Sequence, residues 1–237
     1  MLMRIVLKSS AFPLPRSARY VRVVRLKAVR PSLLLALPFQ VSMIVMALVI
    51  AAAGLEVEML LTVLLAVTMW APAAAELVFR TTLPRALQLH YLIFIVAGPF
   101  MGSALHVYWV IADWDTLVHF DSGILIAWLG MLWLRRVEER LEVSLPTWFG
   151  LLVIQLTAMA FAAAWEICEF ASDSVLGTKA QLGSLDDTMG DIMAGTLGGL
   201  FAITLLLILR RPRSVAPASL LRANRRTADA DEAPTAR

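Results

Sequence analysis

Residues 165–191, WEICEFASDSVLGTKAQLGSLDDTMGD, hold six acidic side chains between two strongly apolar runs: Glu166, Glu169, Asp173, Asp186, Asp187 and Asp191. Lys179 is the only basic residue among them. The flanking runs, residues 148–170 and 188–209, are each long enough as a helix to cross about 30 Å of hydrocarbon. A carboxylate carried that close to lipid is costly, so it turns inward and takes a partner, a proton, water or a metal. The stretch therefore reads as the polar ends of two membrane helices and the loop that joins them.

Working outward, four more runs of the same kind precede it, at residues 33–53, 59–79, 89–112 and 116–134. The composition agrees: 59% of the 237 residues are hydrophobic and 16% charged, against about 25% charged in soluble proteins. The predicted fold is all-α, a polytopic membrane helical bundle of about six transmembrane helices. Pro38, Pro72 and Pro99 fall within spans, where kinks are expected and neighbouring helices take up the freed carbonyl groups. Three segments follow from the charge pattern: a basic N-terminal arm (1–31), the membrane domain (32–209) and a polar tail (210–237) expected to be disordered. The single cysteine, Cys168, rules out an internal disulfide.

Charge placement predicts the orientation. Eight Lys and Arg precede the first span, two lie between the second and third, three between the fourth and fifth, and seven follow the sixth; the alternate loops hold only Lys179. By the positive-inside rule both termini are cytoplasmic, and residues 165–191 lie at the extracytoplasmic end. The basic residues of the arm recur mostly every third position from Arg16 to Arg30. They form either a cationic helical face on anionic lipid headgroups or a solvated arm. That juxtamembrane position explains their charge without nucleic acid. Trp109 and Trp114 at one end, and Trp133 and Trp148 at the other, match interfacial aromatic belts.

Three helix ends carry the candidate site. On the fourth span Asp115 and His119 are four apart, followed at the same interval by Gly123 and Ala127; on the fifth, Ala158 and Ala162 lead to Glu166, with Glu169 and Asp173 beyond; on the sixth, Asp187, Asp191, Gly195 and Gly199 form one stripe. Residues so spaced share a helix face. Small residues let helices approach closely in lipid, and close approach gathers the polar ends into one pocket. Carboxylates so gathered cannot all stay ionised unaided. Oxygen ligands with one imidazole suit a divalent cation, Mg²⁺, Mn²⁺ or Ca²⁺, and less typically Zn²⁺. The expected metal ligands are Glu166, Glu169, Asp173, Asp187 and Asp191, with Asp115 and His119 as the catalytic pair.

Plainer roles stand beside these. The acids could bind helix ends and loop amides, Asp187 could cap the sixth helix, Asp173 and Asp186 could be solvated, and His119 could be simply hydrogen-bonded. Asp121 points away from His119 on the helical wheel and is expected to serve another contact. His106 is a further candidate for the pocket, and Glu76 has Arg80 four residues on for an ion pair. No G-x-S-x-G elbow, Walker loop, H-E-x-x-H or paired C-x-x-C occurs, which removes several common enzyme classes.

The pattern Trp114, Asp115, His119, Gly123, then Trp165, Glu166, Glu169, Asp173, Gly177, then Asp187, Thr188, Asp191, Gly198 resembles the YjdF-like proteins. More loosely, the aspartate and histidine opening one span and the acids of the next are similar to the VanZ-like proteins linked to glycopeptide resistance. The first resemblance implies a small multi-span protein of the bacterial inner (plasma) membrane and marks these polar residues as shared with the family; neither implies a reaction. Metal-assisted hydrolysis or transfer on a lipid-linked or envelope substrate is the leading expectation. A cation or proton permease and a structural membrane scaffold are the alternatives.

Overall fold

The computed structural model describes residues 16–79, 81–177, 180–181 and 184–209, without the side chains of residues 16–30 and 176. The basic face of the arm, Arg80, Lys179 and the tail from Arg210 lie outside this description. The described residues form helices and connections and no strand: α1 (Arg16–Ala52), α2 (Glu56–Thr68), α3 (Ala71–Phe79), α4 (Arg85–Ile95), a π-helical run (Val96–Ala104), α5 (Val107–Val110), α6 (Trp114–Leu141), α7 (Thr147–Leu176) and α8 (Leu185–Ile208). Six segments are long and apolar enough to cross a membrane: Pro31–Ala52, Glu56–Phe79, Arg85–Ala104, Trp114–Leu141, Thr147–Val175 and Leu185–Ile208. Successive crossings alternate in direction. The connections after the first, third and fifth spans therefore share one end of the bundle, the acidic end, and those after the second and fourth share the other.

Prolines shape the spans differently from one another. Pro38 is absorbed inside α1, whereas the second span breaks at Trp70, just before Pro72, into α2 and α3. Pro99 has no N–H to donate and crowds the carbonyl four residues back, and here the backbone widens into the π-helical run rather than kinking sharply. The third span consequently ends at Ala104, short of the expected residue 112. The fourth runs on to Leu141, past residue 134 where hydropathy ends, because Arg135 and Glu139 pair one turn apart (2.7 Å) on the emerging helix.

The spans pack as two groups of three. Met43, Met69, Leu92 and Phe100 centre the first core, and Ala127, Met131, Ile154 and Ile203 the second. Between the groups the seam is polar at three depths: the Trp114 indole donates to the Ala97 carbonyl (3.0 Å), His90 meets Asp121 (2.8 Å), and Arg136 donates to Thr81. Asp121 thus serves a contact other than His119, as its position on the wheel requires.

Three interhelical loops are clipped by one device. Glu76 accepts from the backbone N–H of Leu83, Glu138 from Leu145, and Asp173 from Ala180, each seven residues on, at 2.8, 2.8 and 2.7 Å. A carboxylate near a helix C-terminus opposes the helix dipole, and the loop amides it gathers compensate. Glu76 also accepts from Ser32 (2.6 Å) and Gln88 (3.0 Å). This buried carboxylate is satisfied by neutral donors among the described residues; the ion pair expected with Arg80 falls on a residue outside the description.

Candidate metal centre

Glycine and alanine bring the site together. A methyl group added at Gly123 of α6 would run into the Gly195 carbonyl of α8, and one at Gly198 into the Phe120 carbonyl. Added at Gly195 or Gly199, it would lie 2.8 Å from the Ala162 Cβ or 2.6 Å from the Ala158 Cβ of α7. The expected small-residue stripes thus meet one another, with backbone close to backbone. The next turns toward the acidic end carry Asp115 and His119 on α6, Glu166 and Glu169 on α7, and Asp191 on α8, and this spacing brings them together.

His119 is the hinge of the arrangement. Its Nε2 lies 3.5 Å from Asp115 Oδ1 and its Nδ1 lies 3.7 Å from Glu166 Oε1. One potential ligand atom from each of Asp115, His119 and Asp191 falls within 4.8 Å of the others, and the same holds for His119, Glu166 and Glu169. His119, Glu166 and Asp191 are buried, at 5%, 3% and 2% exposure. Glu169 is half-buried and accepts from the Trp165 indole at 2.9 Å. Among the described residues, no Lys or Arg pairs with any of these acids, and neither oxygen of Glu166 accepts a hydrogen bond of ordinary geometry. Gln181 and Thr188 are its nearest donors, both neutral, and a buried carboxylate so weakly held is uncommon and calls for a bound species or a proton.

The other expected site residues sit further out. Asp173 accepts from the amides of Ala180 and Gln181 (2.7 and 3.1 Å) and holds the loop after α7. Asp187 is half-buried in the first turn of α8, while the cap is Ser184, whose hydroxyl accepts from the Asp187 amide at 3.3 Å. Asp186 is exposed. His106 pairs with Glu58 (3.2 Å) in the first turn of α2 rather than joining either ligand group.

Two neutral contributors were not legible as site residues. Gln181 donates to the Thr188 hydroxyl (3.0 Å) and weakly to the Glu166 carbonyl (3.4 Å), walling the α7–α8 side. Tyr108, on the short helix α5, packs its ring against Gly102 of the π-helical run. Burial pushes its phenol well above the usual range, and the charges of Asp115, Glu169 and Asp191 push it further, so the hydroxyl stays protonated. A single tyrosine beside a span end carries no spacing signal in sequence, where it reads as one more interfacial aromatic.

Six apolar helices with titratable groups gathered at one end define a multi-pass membrane protein. The chain belongs to the DUF2238 family of predicted membrane proteins, whose family model matches residues 34–212. The resemblance to YjdF-like proteins is compatible with that membership. An uncharacterized protein of Thermotoga maritima is 26% identical over 129 residues, an alignment covering 54% of this chain and 66% of the relative. No solved structure matches.

Proposed function

We propose that this protein binds a divalent cation in the acidic pocket and uses it for hydrolysis or transfer on a lipid-linked or envelope substrate. Glu166, Glu169 and Asp191 serve as ligands, His119 as ligand or general base, and Asp115 orients the imidazole. Asp173 and Asp187 lie outside the inner set: the first holds its loop and the second adds negative charge at the mouth. The observation that carries the reading is Glu166, buried to 3% exposure with only the neutral side chains of Gln181 and Thr188 as nearby donors, beside an imidazole and three further acids. A bound cation would supply the positive charge that the surroundings lack, polarise a substrate oxygen and activate water.

Charge bias supports an orientation with both termini cytoplasmic and the pocket facing outward from the bacterial inner membrane. The basic arm would then rest on anionic headgroups of the inner leaflet.

A cation or proton permease needs polar groups continuing beyond the pocket. Deeper along the same helices, Thr157 and Thr204 donate to their own helix backbones and Gln155 Nε2 donates to the Thr196 carbonyl (3.0 Å). The Gly123, Gly195 and Ala162 contacts close the way. A dead-end pocket suits chemistry on a substrate arriving from outside or from the lipid.

The test is release of inorganic phosphate from lipid-linked phosphate and pyrophosphate esters by purified protein in nanodiscs, with Mn²⁺ or with EDTA. The reading expects Mn²⁺-dependent release that Glu166→Gln abolishes. Release insensitive to EDTA or to that substitution would overturn it.

A further inference from the structure

The two ring nitrogens of His119 face different acids, and neither contact is a hydrogen bond. Nε2 lies 3.5 Å from Asp115 Oδ1 and Nδ1 lies 3.7 Å from Glu166 Oε1. A hydrogen bond from an imidazolium to a carboxylate closes to about 2.7–2.9 Å, so the ring is not clasped as a cation between the two acids. A neutral ring holds one N–H, which leaves the lone pair of the other nitrogen turned toward a carboxylate oxygen. The side chain is buried at 5% exposure, so bulk solvent is not the partner of either edge. A buried polar ring so placed calls for a bound species.

Coordination geometry accounts for both spacings. Two donor atoms that share a tetrahedral cation, each about 2.0–2.2 Å from it, stand about 3.3–3.6 Å apart. The nitrogen–oxygen pairs on the two edges of the ring are at that separation or just beyond it. Each edge also has a third donor at hand: one ligand atom from each of Asp115, His119 and Asp191 lies within 4.8 Å of the other two, and the same is true of His119, Glu166 and Glu169. The two groups have only the imidazole in common, and its nitrogens point to opposite edges. They therefore define two positions rather than one. Their four carboxylates carry the negative charge that two divalent ions neutralise.

We propose that the pocket holds two divalent cations bridged by His119, one on the Glu166–Glu169 edge through Nδ1 and the other on the Asp115–Asp191 edge through Nε2. This rests on the cation-binding reading above and adds a second metal position to it. Scarce metal gives a single ion on Nδ1, with Glu166, Glu169 and Asp191 as ligands. The proton of the ring then sits on Nε2 facing Asp115, which orients the imidazole. When metal is in excess, a second ion replaces that proton, which passes to solvent, and takes Asp191 with Asp115; the ring bridges as imidazolate. Zn²⁺, which accepts imidazole nitrogen and carboxylate oxygen alike in tetrahedral sites, suits such a bridge.

The experiment is Zn²⁺ stoichiometry by equilibrium dialysis on the full chain in nanodiscs, in a His106→Ala parent that lacks the exposed imidazole beside Glu58. At saturation the parent should load about two ions per chain, and Asp115→Asn and Glu169→Gln about one each. Melting temperatures after metal removal separate a lost ligand from a lost fold. Cu²⁺ in place of Zn²⁺ reads the bridge: two coppers joined by one imidazolate couple magnetically, so the paramagnetic resonance signal should be lost as the second equivalent binds and should persist in Asp115→Asn. If the well-folded parent saturates below two Zn²⁺, if Asp115→Asn still loads two, or if either single variant loses both ions, the second position falls while the cation reading stands. Two coppers that keep their full signal also overturn the bridge. If the parent binds neither Zn²⁺ nor Mn²⁺, both readings fall.

Discussion

His119 Nδ1 lies 3.7 Å from Glu166 Oε1 across the contact between α6 and α7, while the other ring nitrogen faces Asp115 of its own helix at 3.5 Å. One imidazole thus belongs to both groups of acids, and its loss should uncouple them. His119→Ala is expected to lower Mn²⁺ affinity by about 10- to 100-fold, read as free-ion signal in an electron paramagnetic resonance titration. An unchanged affinity would remove His119 from the inner set.

The close approach of α6 and α8 depends on the absence of side chains at Gly123 and Gly198, each of which faces a backbone carbonyl that cannot move aside cheaply. Gly198→Val should therefore destabilise the bundle by more than the about 1–3 kcal/mol usual for overpacking, seen as a lowered melting temperature in detergent. Gly190→Ala, at a position with nothing nearby, should leave the melting temperature within a degree or two.

Glu76 and Glu138 each hold a loop at the basic end through a backbone amide seven residues on. Glu76 has three donors, so Glu76→Ala strands the side chains of Ser32 and Gln88 and the Leu83 amide and should cost about 2–4 kcal/mol. Chemical or thermal unfolding in detergent reads the loss. Glu138, with the Leu145 amide, should cost less on the same substitution, about 1–2 kcal/mol.

The spans and the small-residue stripes were legible because lipid imposes both: length and apolarity follow from bilayer thickness, and glycine at helical spacing follows from close packing. The contacts of Gly123, Gly195 and Ala162 are the ones that spacing requires. What was hidden depends on tertiary geometry. His90 meets Asp121 across 31 positions, Glu76 turns to Ser32 across 44, and Tyr108 packs on Gly102 of the π-helical run around Pro99. Local patterns hold no trace of these pairings.

The proposed outward orientation of the pocket rests on charge bias alone, and labelling tests it. In a Cys168→Ser background, a cysteine at Gly177 should react with a membrane-impermeant maleimide in intact spheroplasts, and one at Ser144 should react only after lysis. The reverse pattern would invert the protein and place the acids at the cytoplasmic face.

Metal content measured by mass spectrometry on protein purified without chelator bears most directly on the central claim. Wild type should retain close to one divalent cation per chain, and Glu166→Gln and Asp191→Asn should retain little while melting at or above metal-stripped wild type, since each removes a buried charge that only the cation compensates. Equal metal in wild type and both well-folded variants would contradict the account, leaving the acids a structural cluster.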